Sequence, residues 1–185
     1  MTTLTLDLRS TLELTDEQFV AICRHNPDLR LERSARGELI IMPPTGGEAG
    51  RRNSKLGGQL WHWNEQYQLG EVFDSSTGFK LPNGAIRAPD AAWVHRDRWQ
   101  ALTPEQREKF VPLCPDFVIE LQSSSDSLEE VRAKMCEYQE NGLKLGWLID
   151  PTTATVAVYR EQRSPELLLQ PDTLSGELIL PGWLF

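Results

Sequence analysis

The sequence predicts an α/β fold: a mixed β-sheet flanked by helices, preceded by an N-terminal helix and β-hairpin. Three observations lead there. The periodic segments in the middle of the chain run helix, three strands, helix, strand, strand. Leu56, Leu60, Trp63 and Tyr67 recur at helical spacing and mark the buried stripe of a long helix. Phe117–Gln122 is a dense apolar run, followed by a helical pattern and a second apolar run, Leu145–Asp150. That is the pattern of a strand–helix–strand crossover with parallel strands.

The elements follow in order. Thr15 and Gln18 form a capping box before Phe19, Val20 and Ile22, so a helix runs from about Asp16 to His25 and stops at Asn26–Pro27–Asp28. Leu29–Arg33 and Glu38–Met42 are strands joined by a turn ending at Gly37, where a positive backbone angle costs little. Pro43–Pro44 ends the hairpin. The long helix spans about Glu48 to Gln68. Its Gly57–Gly58 pair costs roughly 1 kcal/mol per glycine against Ala, an expense that close packing against a neighbouring element would offset. Glu71–Asp74, Thr77–Leu81 and Ala85–Val94 are strands, the last with Pro89 as a bulge that re-aims Asp90. Thr103–Pro104–Glu105–Gln106 starts a short helix ending near Val111. A helix from about Leu128 to Asn141 stops at Gly142, with Leu128, Val131, Met135 and Tyr138 as its core stripe. Leu145–Asp150 and Thr155–Tyr159 are strands, and the tail from Leu167 to Phe185 adds a strand and an irregular end.

The chain of 185 residues suits one domain: an N-terminal helix and hairpin (about 12–44), a core (about 45–160) and a C-terminal tail (about 161–185). At 39% hydrophobic and 25% charged residues it is an ordinary globular composition with enough chain to bury a core. No apolar run approaches the roughly 20 residues of a membrane-spanning helix. MTTLTLDLRS lacks the features of a secretory signal, so a cytoplasmic protein is expected. Cys23, Cys114 and Cys136 make no CxxC pair and suggest neither zinc nor disulfides. His25, His62 and His95 have no metal spacing, and the six tryptophans are assigned to core or interface. The net charge of -8 repels phosphate at long range. Either Arg51–Arg52–Lys55 and Arg96–Arg98 gather on one basic face, or nucleic acid is not the substrate.

The candidate chemistry lies in carboxylates at strand ends. Asp90 follows Ala88–Pro89. Glu120 lies between Ile119 and Leu121, so its carboxylate sits in or beside the core. An acid there is costly unless a metal or a basic partner balances it. Magnesium takes oxygen ligands, often one or two carboxylates, and can activate water for phosphodiester cleavage. Gln122 shares a strand face with Glu120 but is neutral. Lys134 on the following helix lies about 80° from its apolar stripe. It either reaches Glu120 or snorkels at the edge of the core. Glu48 is either a further carboxylate ligand or a favourable charge at a helix N-terminus. Ser123, Ser124 and Ser125 lack a nucleophile-elbow context and read as caps, with Ser127 and Glu130 as another box.

The stretches GELIIMPP, APDAAWV, CPDFVIELQSSSD, KMCEYQENG, WLIDP and VAVY, in that order, resemble the Uma-two family of the PD-(D/E)xK nuclease superfamily, with its restriction-endonuclease-like fold. The resemblance spans most of the chain. It implies a Mg- or Mn-dependent endonuclease acting on DNA. Asp90 then matches the metal-binding Asp, Glu120 the Glu of Glu-x-Lys, and Glu48 the acid of the first helix. Gln122 stands at the lysine position, a departure. Lys134 resembles the lysine displaced onto the helix in some members. The expected site is therefore Asp90, Glu120, Gln122 and Lys134, with Asp90, Glu120 and Glu48 toward the metal. A homodimer is expected, because cutting two strands suits two sites. The alternative is a nuclease fold without cleavage, used for nucleic-acid binding or assembly.

Overall fold

The computed structural model describes residues 3–123 and 127–185. Two sheets organise the chain. In order come β1 (Leu4–Leu6), α1 (Asp16–His25), β2 (Arg30–Arg33), β3 (Leu39–Met42), α2 (Gly47–Tyr67), β4 (Gly70–Asp74), β5 (Phe79–Lys80), β6 (Ile86–Arg87) and β7 (Ala91–His95). Then follow α3 (Arg96–Gln100), α4 (Pro104–Arg107), β8 (Phe117–Leu121), α5 (Leu128–Glu140), β9 (Leu145–Asp150), β10 (Thr155–Arg160) and β11 (Glu166–Leu169). The main sheet has the order β11-β10-β9-β8-β7-β4, and the smaller one β1-β3-β2-β6-β5. Only β8 and β9 run parallel, joined through α5, and the other pairs are antiparallel, so the predicted mixed sheet and crossover are both present.

Strand alternation divides the main sheet between two cores. Phe117 and Ile119 of β8 pack with Leu56, Leu60 and Trp63 of α2. Val118 faces the other way, toward Met135 and Tyr138 of α5. A third cluster, around Phe19, Leu39 and Ile86, attaches α1 to the small sheet. Asn64 pins α2 to the main sheet: its Nδ2 donates to Gly70 O at 2.9 Å, and its Oδ1 accepts from Trp93 Nε1 at 2.9 Å. The C-terminal tail closes the α2 side, where Trp183 stacks on Trp147 with ring centroids 5.0 Å apart. No helix among the described residues is long and apolar enough to cross a membrane.

The predicted capping boxes at Thr15/Gln18 and Thr103/Gln106 are both complete. At α5 the Ser127 side chain accepts from Glu130 N, the Ser127 half of the predicted box. Ser124 and Ser125 lie outside the described residues.

Four expectations need correction. The run Ala85–Val94 is not one bulged strand but two strands in different sheets, β6 and β7, with Ala88–Pro89–Asp90 as the crossing. Pro89, which lacks an N–H, falls where the chain leaves one ladder for the other. The helix at Pro104 ends at Arg107 rather than near Val111, because Val111 instead makes a parallel bridge to Phe79. Thr77–Leu81 shortens to two residues, Phe79–Lys80. Finally, a Cβ at Gly57 or Gly58 would meet nothing within 4 Å, so close packing against another element does not explain these glycines. They border a cleft.

Candidate active site

Pro89 hands Asp90 to the end of β7, where the β7–β8 ladder stops at Ala91↔Ile119. The Leu121 N–H beyond the ladder needs an acceptor. Asp90 Oδ2 supplies it at 2.8 Å, and Asp90 Oδ1 accepts from Asn53 Nδ2 of α2 at 2.7 Å. Burial raises the Asp90 pKa, against the pull of the Leu121 N–H, Lys134 and Asn53. Next to Asp90 opens a cleft of about 370 Å³, lined in part by Thr45, Asn53, Gly57, Gly58 and Ser75.

Glu120 is on the α5 face of β8 and only 7% exposed. Its Oε1 lies 2.7 Å from Lys134 Nζ and accepts from Tyr138 Oη at 3.3 Å. Lys134 and Tyr138 are one helical turn apart on α5, so a single face of that helix delivers both. Burial, together with the neighbouring Asp90 and Glu32 carboxylates, pushes the Glu120 pKa up to about 8, although Lys134 opposes the shift. Burial disfavours the Lys134 ammonium, but Glu120 and Glu32 outweigh it and hold the amine protonated.

A third carboxylate reaches the same ammonium. Glu32 of β2, 2% exposed, places Oε1 2.8 Å from Lys134 Nζ and accepts the Ala88 N–H at 3.0 Å. Its Oε2 meets Arg87 at 3.1 Å, and Arg87 also pairs with Glu137 at 2.5 Å. Burial would raise the Glu32 pKa, but Lys134 and Arg87 keep it low. The small sheet and α5 are therefore joined by charge as well as by the apolar cluster that holds Phe79, Met135 and Tyr138.

The sequence profile of the Uma2 family, described as "Putative restriction endonuclease", matches residues 16–185. The chain belongs to the Uma2 family. A crystal structure described as a "putative nuclease belonging to DUF820 from Anabaena variabilis ATCC 29413" is similar, with a TM-score of 0.68 and 23% sequence identity. The match covers 81% of this chain and 82% of that one. At this identity the likeness establishes the fold. No curated protein matches the chain.

Within this Uma2 chain, the structure brings together Asp90, Glu120 and Lys134 of the residues predicted from sequence. Glu48 does not join them. It is exposed on the first turn of α2 and pairs with Arg51 at 2.7 Å and Arg52 at 3.2 Å, which lower its pKa. Its place matches the helix-terminus reading instead. The residue that α2 presents to Asp90 is Asn53. Gln122 follows β8 and carries a buried Oε1 with no hydrogen-bond partner among the described residues. The Asn53 Oδ1 is in the same state.

Sequence reasoning missed Asn53 and Glu32. Asn53 had a signal: it precedes Leu56 by three positions and so continues the stripe of Leu56, Leu60 and Trp63. A polar residue on such a stripe needs a partner. Glu32 had none, because Arg30–Leu31–Glu32–Arg33 reads as an ordinary charged strand. Most of the predicted basic residues are engaged within the fold. Arg51 and Arg52 hold Glu48, Arg98 holds Asp116 at 2.8 Å, and Lys55 lies over the Phe185 ring.

The donor chemistry suits a hard divalent cation. Asp90 and Glu120 offer carboxylate oxygens and Gln122 an unpaired amide oxygen, the ligand types that Mg²⁺ and Mn²⁺ take. Among the described residues no third His, Cys, Asp or Glu completes a group of metal ligands, so the carboxylate pair would be the whole acidic set. Charge points the same way. The linked side chains comprise four carboxylates (Glu32, Asp90, Glu120 and Glu137) against three cations, Lys134, Arg87 and Arg30. That excess is what a divalent ion would neutralise.

Proposed function

We propose that this chain is a divalent-metal-dependent endonuclease that hydrolyses phosphodiester bonds in DNA, with Asp90 and Glu120 holding Mg²⁺ or Mn²⁺. The observation that carries the reading is the buried contact of Glu120 with Lys134 at 2.7 Å, in the field of Asp90, which itself lines the cleft. When bound, the cation would supply Lewis-acid stabilisation of the scissile phosphate and lower the pKa of water. The protein's own groups do the rest. Leu121 N–H and Asn53 fix both oxygens of Asp90. Tyr138 and Lys134 hold Oε1 of Glu120. Lys134 supplies the cation that a strand lysine at position 122 would have supplied, and Gln122 leaves that place neutral.

Purified full-length chain should cut duplex DNA with Mg²⁺ or Mn²⁺, and Asp90→Asn and Glu120→Gln should each reduce the rate by at least ~100-fold. A wild-type protein that cuts neither DNA nor RNA with either metal, across pH and salt, would overturn the proposal. A non-cleaving binding or assembly module is the second reading. It is favoured by Gln122, and by a Lys134 ammonium already bonded to Glu32, Glu120 and the Ala88 carbonyl. Salt-dependent DNA affinity without cleavage would select it. The endonuclease reading carries a homodimer with one site per strand. A monomer by light scattering would remove the dimer from the proposal.

A further inference from the structure

Lys134 has three ammonium hydrogens to donate. Three acceptors surround it: Glu120 Oε1 at 2.7 Å, Glu32 Oε1 at 2.8 Å and Ala88 O at 3.2 Å. The ammonium is saturated. A lysine in this state acts through where it is held and not as a free proton donor. What holds it comes from two directions. Glu120 belongs to the main sheet, and Glu32 to the small sheet.

Glu32 is itself fixed from three sides. Arg87 takes Oε2, while Oε1 receives both Lys134 and the Ala88 N–H. Ala88 is two residues before Asp90, so Glu32 grips the segment that delivers Asp90 as well as the lysine that meets Glu120. A carboxylate buried to this degree is costly unless each lone pair is used. Here the use is geometric: without Glu32, Glu120 would be the only carboxylate bonded to Lys134 among the described residues.

We propose that Glu32 is a positioning residue for the site. It anchors Lys134, and through Lys134 it sets the orientation in which Glu120 meets a divalent cation. The β2–β3 hairpin is therefore a working part of the site, although Asp90 and Glu120 both lie on the main sheet. This inference rests on the reading of Asp90 and Glu120 as metal ligands.

The test is Mn²⁺ and Mg²⁺ titration by calorimetry on the full chain, with folding of each variant checked by circular dichroism. Glu32→Gln should weaken binding by about 10-fold, a change of about 1.4 kcal/mol. Glu32→Asp keeps the charge but shortens the reach, and should weaken binding to a similar degree. In a Lys134→Met background, Glu32→Gln should have no further effect, because the lysine contact is already gone and the glutamine oxygen can still accept the Ala88 N–H. A Glu32 that acted only by its charge would leave Glu32→Asp close to wild type and would weaken binding equally in both backgrounds. Either result overturns the inference. A wild type that binds neither ion, or an Asp90→Asn that binds as well as wild type, would sink the metal-site reading and this inference with it. If Asp90→Asn weakens binding and Glu32→Gln does not, the inference alone fails. One measurement needs no substitution. Lysine side-chain ¹⁵N NMR of the wild type should show a Lys134 ammonium protected from exchange at neutral pH, and its absence would also overturn the inference.

Discussion

Glu120→Gln should change how stability depends on pH in a way that isolates one carboxyl group. Burial beside Asp90 and Glu32 raises the Glu120 pKa from its ordinary 4.5 to about 8. The folded chain therefore binds this proton more tightly than the unfolded chain. The contribution of Glu120 to stability is greatest below pH 4.5 and declines as pH rises to about 8, where both states have lost the proton. Across that window the slope is about 1.4 kcal/mol per pH unit, or roughly 5 kcal/mol in all. Glu120→Gln removes the titration but leaves Asp90 and Glu32 in place. Urea unfolding of both proteins, with chelator present, from pH 5 to pH 9, measures the difference directly. The variant should gain on the wild type steadily up to about pH 8 and then run parallel to it. Saturating Mg²⁺ at pH 8 should restore much of the wild-type loss and leave the variant unchanged. Parallel curves throughout would refute the reasoning, because they would mean that Glu120 ionises in the folded protein as easily as in the unfolded chain.

Other outcomes follow from single contacts. Asn64→Leu leaves the Trp93 indole N–H and the Gly70 carbonyl without their partner, and should lower stability by roughly 2–5 kcal/mol in urea with an unchanged m value. Gly57→Ala and Gly58→Ala meet open space, so each should stabilise by about 0.5–1 kcal/mol in thermal melts. Gly146→Ala should cost about 1–2 kcal/mol, because its Cβ would lie 2.7 Å from side-chain atoms of both Leu143 and Met135. Glu48→Ala should leave divalent-ion affinity unchanged in calorimetry, since Glu48 is engaged with Arg51 and Arg52 at the surface.

What the sequence revealed depended on whether a feature was local. Both complete capping boxes could be read because a cap is decided within four residues. The parallel β8–α5–β9 unit could be read because its apolar runs are long and its order unambiguous. The split of 85–94 could not, since a period-two pattern looks the same whether a strand continues or passes to another sheet. β1 and α3, at three and five residues, are too short for any period to show. The site divides in the same way. An acid between Ile119 and Leu121 declares its own burial, whereas helical phase left Lys134 either reaching Glu120 or snorkelling, and the fold selects the first. Glu32 is buried only because Arg87 and Lys134, distant in the chain, fold over it. Its burial is a property of the two sheets together, and no window around position 32 contains it.

The net charge acquires a different meaning once the ion pairs are known. Most of the arginines that could have formed a phosphate-binding face are ion-paired: Arg51 and Arg52 share Glu48, and Arg98 meets Asp116. A phosphodiester that approaches Asp90 and Glu120 without a metal meets a site in which carboxylates outnumber cations. A divalent ion at the carboxylate pair offsets that charge locally while the rest of the surface stays acidic. Under the proposed function, metal and nucleic acid then bind as a linked pair, and the acidic surface discourages nucleic acid from settling elsewhere. Linkage is reciprocal, so DNA must tighten the metal by the same factor by which the metal tightens DNA. In this account the charge of -8, which first argued against a nuclease, makes its affinity for DNA conditional on the metal.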